Sequence, residues 1–142
     1  MKIEWLILAD YAEIVNNKLY LQGGGWDRLM VNTGFPHKRS VGVATSVRVP
    51  WNDTNTEGHL RVSLATEDGQ ELGFFEGRFK VGRPANIPEG SDQRVQIAGG
   101  FGVELKAPGG YVVTAMLNGG EGGSVHFNAE IGPQAQGQAR AS

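Results

Sequence analysis

The 142-residue chain is the size of one domain and long enough to bury a core without disulfides or metal. It holds 39% hydrophobic and 20% charged residues, too apolar for a disordered chain, and its 22 glycines follow no three-residue period, which excludes collagen. A net charge of −2 predicts no long-range pull toward nucleic acid or an anionic membrane, and the absence of cysteine excludes zinc–thiolate sites, iron–sulfur clusters and thiol catalysis and fits a cytoplasmic protein.

Met1–Asp10 has the position of a secretory leader, but Glu4 interrupts it. The apolar run Trp5–Ala9 also falls short of the roughly 7–15 residues such a segment needs. No run approaches the ~20 apolar residues of a membrane span, so no membrane insertion is expected. Period-two alternation dominates instead, the mark of strands.

A first strand runs over Ile3–Val15, turns at Asn16-Asn17 and returns over Lys18–Gln22. Gly23–Gly25 bend the chain, Trp26–Val31 is extended, and Asn32–Pro36 is a loop. Ser40–Val49 places Val41, Val43, Thr45, Val47 and Val49 on one face, and Pro50 stops it because it cannot donate to a ladder. After a polar loop, His59–Thr66 turns Leu60, Val62 and Leu64 inward, and Asp68-Gly69 signals a hairpin into Leu72–Val81.

Gly82–Gln93, with Pro84 and Pro88, is a long connection able to carry the chain from one sheet to the other. Arg94–Leu105 is a strand that Gly99-Gly100 interrupts, as a bulge or a close backbone approach. Pro108-Gly109 turns the chain into Tyr111–Leu117. A buried Tyr111 ring with its hydroxyl returned to nearby backbone would make a tyrosine corner. Asn118–Gly123 is expected as a flexible hairpin loop, and Val125, Phe127, Ala129 and Ile131 as the last inward row. Gly132–Ser142 lacks large apolar residues and is expected to be a disordered tail, leaving 1–131 as a single domain.

These elements predict an all-β fold: a two-sheet antiparallel immunoglobulin-like sandwich with Greek-key connections. No catalytic motif stands out. His37, His59 and His126 lack zinc spacing, the glycine strings lack the Lys-Ser/Thr ending of a phosphate loop, and no nucleophile elbow occurs. No cofactor and no metal site are expected. The acidic loops Asn52–Glu57 and Glu67-Asp68 could supply calcium ligands if the fold joined them. Arg48, Arg61, Arg78 and Lys80 face outward and would form a basic stripe if their strands were neighbours. Trp51, Asp53, Glu57 and Trp26 are the candidate binding residues, each tryptophan being either a contact site or a plug.

The strings Ala9-Asp10, Lys18-Leu-Tyr20, Gly23–Arg28 and Ala107-Pro-Gly-Gly-Tyr111 resemble an uncharacterised bacterial family with an immunoglobulin-like β-sandwich fold. Asn17 stands where that family's pattern has Gly, and either residue suits the turn. The resemblance spans residues 1 to about 131, supports the fold and implies no activity. Within it, Asp10 and Arg28 are expected to pair across the first hairpin.

The chain therefore reads as a non-enzymatic binding or interaction module, with an unknown protein partner or small ligand and self-association through an edge strand as further expectations. Its default contact surface is the loop end around Trp51–Glu57 and Gly119–Gly123. The rival readings are a calcium-dependent lipid- or membrane-binding sandwich and a carbohydrate-binding or glycoside-active domain.

Overall fold

Among the described residues, alternation of apolar and polar residues becomes nine strands: β1 (Lys2–Val15), β2 (Lys18–Gly24), β3 (Arg28–Val31), β4 (His37–Val49), β5 (Glu57–Thr66), β6 (Glu71–Lys80), β7 (Gln93–Leu105), β8 (Gly109–Leu117) and β9 (Gly120–Ile131). A 3-10 turn, Trp51–Asp53, joins β4 to β5. The structure is a computed structural model that describes residues 1–133, except the side chain of Glu121. One sheet has the order β2-β1-β4-β7 and the other β3-β9-β8-β5-β6.

The core lies between them. Val41 and Val43 from one sheet pack in one cluster with Leu60, Val62, Leu64, Val113 and Phe127 from the other, and Val47 and Val49 are likewise buried. Each such side chain contributes on the order of 1.5–3 kcal/mol through apolar burial. Thr45 shares this face and donates its hydroxyl to the Trp5 carbonyl at 2.8 Å, which removes the cost of burying it. The Gly82–Asp92 connection carries the chain from the five-stranded to the four-stranded sheet, as expected.

Three expectations need correction. The sandwich is not wholly antiparallel, because β3 runs parallel to β9. The chain reaches β3 by crossing between sheets rather than through a hairpin, and only hairpins force antiparallel neighbours. Second, the tip between β8 and β9 is a two-residue turn, Asn118-Gly119, with φ of 53° and 83°. Asn-Gly favours this hairpin geometry, so pairing resumes at Gly120. Third, Ile131 is exposed at the end of β9 rather than part of the inward row.

Gly99 and Gly100 make no bulge: the β4–β7 register passes through both without a shift. They permit close approach, since a Cβ on Gly99 would lie 2.9 Å from the Phe75 ring. Of the expected tail, Gly132 is buried and donates its N–H to the Val31 carbonyl at 2.8 Å, while residues 134–142 lie outside the described part.

One element departs from a plain sandwich. β1 pairs with β4 only as far as Ala9↔Gly42, then continues to Val15 paired with β2 alone. This second half of β1, with β2, forms an arm over the outer face of the four-stranded sheet. Gly42 lies beneath it: a Cβ there would sit 2.9 Å from the Ala12 nitrogen and 3.0 Å from the Tyr11 Cα. At the arm's tip, the Gln96 side chain donates to the Asn17 carbonyl at 2.9 Å.

Candidate functional site

The Gly23–Arg28 string builds the passage between the sheets. Gly23 and Gly25 adopt positive φ (58° and 83°), which glycine takes without steric cost. Trp26 then enters the gap between the sheets and packs edge-on against Phe127, with ring centroids 5.3 Å apart at 82°. The Arg39 guanidinium lies 5.8 Å from the Trp26 ring, and Trp26 Nε1 is buried without a hydrogen-bond partner. Trp26 is thus half-buried, packed on the core on one side and lining a hollow of about 330 Å³ with Leu6, Asp27 and His126 on the other.

Asp10 and Arg28 take different partners from the one expected. Arg39 donates to Asp10 Oδ1 at 3.1 Å, and Arg28 grips both carboxylate oxygens of Glu130 at 2.8 Å. The first two strands do form a hairpin, but the glycines carry Arg28 onto the opposite sheet, beside β9.

The loop end is internally satisfied. The Arg83 guanidinium stacks on Trp51 at 4.1 Å and donates to Thr54 Oγ1 and the Trp51 carbonyl at 2.6 and 3.0 Å. Asp53 accepts from the Met1 ammonium at 2.6 Å, and Glu57 from Arg78 at 2.8 Å. Asn118 accepts from the His59 N–H at 2.9 Å and approaches the Met1 sulfur. Met1 thus joins the two loops into one closed end. Glu67 and Asp68 follow β5 while Asp53 and Glu57 stand at its start, so a ten-residue strand, on the order of 30 Å, separates the acidic loops. Among the described residues no three histidines or acids gather as a metal site would require.

The basic stripe does not form either. Arg48 belongs to the four-stranded sheet, Arg61 and Arg78 to the other, because the chain changes sheets between β4 and β5. Carboxylates hold each arginine: Glu4 binds Arg48, Glu71 and Glu76 bind Arg61, and Glu57 binds Arg78. Glu4 sits at the centre of the strongest cluster. Hydrogen bonds from Arg94, Ser46 and Arg48, in that order, outweigh its partial burial and lower its pKa from 4.5 to about 2. Tyr111 is buried at the start of β8 and donates its hydroxyl to the Ala107 carbonyl at 2.5 Å, four residues upstream.

What remains open is the arm. The exposed large apolar residues Tyr11, Val15, Tyr20 and Leu21 fall within its eleven-residue span, whereas Met30, Phe74 and Ile131 are scattered and Arg61 covers Phe74 at 4.2 Å. The β1–β2 register puts Tyr11, Glu13 and Val15 on one face with Gln22, Tyr20 and Lys18. Ala12, Ile14, Leu19 and Leu21 occupy the opposite face, above the sheet. Beside the arm a groove of about 360 Å³ runs between Tyr11 and a floor of Ser40, Gly42, Gly100 and Gly102. It continues toward Lys38 and Glu104 into a second hollow of about 460 Å³. Backbone, the Tyr11 ring, the Asp10 carboxylate and the Ser40 residue together line this groove. Neither Tyr11 nor Tyr20 is among the candidate binding residues read from the sequence, and the period-two position of Tyr11 mimics that of an inward residue.

The model of DUF6941, a family of unknown function, matches residues 4–130, and the chain belongs to that family. The match takes in both the Gly23–Arg28 passage and the Ala107–Tyr111 corner. No curated protein matches the chain.

Proposed function

We propose that this member of DUF6941 is a non-enzymatic interaction module: an immunoglobulin-like sandwich that meets its partner through the β1–β2 arm. The observation that carries the reading is the clustering of Tyr11, Val15, Tyr20 and Leu21, all exposed, on one short hairpin. Tyrosine is enriched at protein interfaces because it offers a large, stiff surface with a polar tip. Arginines hold the carboxylates of Glu4, Asp10, Glu57, Glu71 and Glu130.

Support for the immunoglobulin-like topology comes from the connectivity. β1-β4-β7 lies against β3-β9-β8-β5-β6, an early strand runs parallel to the last, and the buried tyrosine opens the penultimate strand. In such sandwiches a tyrosine at this place locks the preceding corner.

The test is photo-crosslinking in the native host, with benzoylphenylalanine placed at Tyr20 or at Asn52 of the loop end. A discrete adduct from position 20 is the expected result. Adducts from position 52 with none from position 20 would return the contact surface to the loops and overturn the proposal.

A further inference from the structure

We infer that a second copy of this chain pairs with β2 edge to edge, antiparallel, about a two-fold axis at Tyr20. The inference rests on the arm being the contact surface and names what it contacts.

Asn16 and Asn17 both have positive φ, 51° and 62°, which defines a tight two-residue hairpin turn. In such a turn the flanking residues, Val15 and Lys18, exchange the closing hydrogen bonds. Antiparallel alternation then gives the N–H and C=O groups of Lys18, Tyr20 and Gln22 to β1 and turns those of Leu19 and Leu21 away from it. Among the described residues no strand lies on that side, because β2 ends its sheet. A row of outward donors and acceptors is the template for an added strand.

Two of the other three edges are guarded. β6 carries Glu71, Glu76, Arg78 and Lys80, and β3 is four residues long. β7 also ends its sheet and carries Arg94 and Glu104; its inner face packs on β6, where a Cβ on Gly73 would lie 3.3 Å from Phe101 and Val103. β2 has Lys18 as its one charge in seven residues.

The strand is also its own complement. An axis at Tyr20 sets Leu19 opposite Leu21 of the second copy, and these are the residues whose backbone groups point outward. It sets Lys18 opposite Gln22, so no like charges face each other, and Tyr20 opposite itself on the solvent face. The small net charge of −2 offers little long-range repulsion between copies.

Light scattering after size exclusion, on the full chain over a concentration series, reads the outcome. The wild type should dimerise. Tyr20→Lys places like charges across the axis and should weaken the dimer by about tenfold or more. Leu21→Pro removes one outward N–H while sparing every bond to β1, and should do the same. An equimolar mixture of Tyr20→Lys and Tyr20→Glu proteins should dimerise more tightly than either alone, as position 20 facing itself across the axis predicts. Circular dichroism checks that each variant is folded, and the Tyr20 pair stands if Leu21→Pro does not fold. A monomeric wild type, unweakened variants or a monomeric mixture would overturn the pairing. A crosslink from position 20 to a different protein, with a monomeric wild type, would do so while leaving the interaction reading intact.

Discussion

Replacing Tyr111 by phenylalanine removes one oxygen and leaves the ring where it packs, 5.3 Å from Phe127 and nearly parallel to it at 15°. The lost hydroxyl is a partly buried donor, bonded to the Ala107 carbonyl at 2.5 Å. A net hydrogen bond contributes about 0.5–1.5 kcal/mol, and stranding a buried acceptor costs about 1–3 kcal/mol, so a loss of about 1–2 kcal/mol is expected for this partly buried pair. Unfolding entropy near 2.1 cal/mol/K per residue amounts to roughly 0.3 kcal/mol/K for this chain, so the melting midpoint should fall by about 3–7 °C. Tyr111→Ala also empties the ring's place and should cost about 3–5 kcal/mol. Urea unfolding followed by tryptophan fluorescence measures both, with an unchanged denaturant slope showing that the folded and unfolded states keep their compactness. A phenylalanine variant within about 0.5 kcal/mol of wild type, the range of ordinary surface changes, would mean that the hydroxyl does not hold the corner.

Gly42→Val should push a side chain into the backbone of Tyr11 and Ala12, costing about 1–3 kcal/mol by overpacking. Amide exchange should then quicken in β1 beyond Ala9 and in β2 while β5 and β8 stay protected; uniform quickening would mean that the arm is not a separate layer. Glu4 has a folded-state pKa of about 2 against 4.5 unfolded, so its contribution is whole above pH 4.5 and drains away as acid is added through pH 2. Glu4→Gln should flatten that part of the acid-unfolding curve, and an identical curve for both proteins would show that the cluster around Arg94, Ser46 and Arg48 carries no linkage.

The inward rows of β4, β5, β8 and β9 were legible because a half-buried strand repeats every second residue and burial follows from that repeat alone. The corner at Tyr111 was legible because Pro, Gly and Tyr impose their geometry locally. The partners of Asp10 and Arg28 were not. Arg28 meets Glu130 only because β3 lies beside β9, and nothing within residues 23–31 records a strand about a hundred residues away. The arm was hidden for a related reason. Tyr11 and Val15 keep the period of their strand after it has left the sheet, so alternation could not say that the core had been left behind. Nor does the sequence around Trp51 record that Arg83, from a distant loop, lies on its ring.

The parallel clasp of β3 on β9 bears on how the molecule is made. Ribosomes add roughly 5–20 residues per second, so the stretch between β3 and β9 takes on the order of 5–20 s to emerge. Through that interval Leu29 and Val31, buried in the finished protein, have no neighbouring strand to cover them. A nascent chain halted before Gly120 thus lacks the strand that links β3 to β8, and keeps sticky surface at its leading end until that strand closes over it.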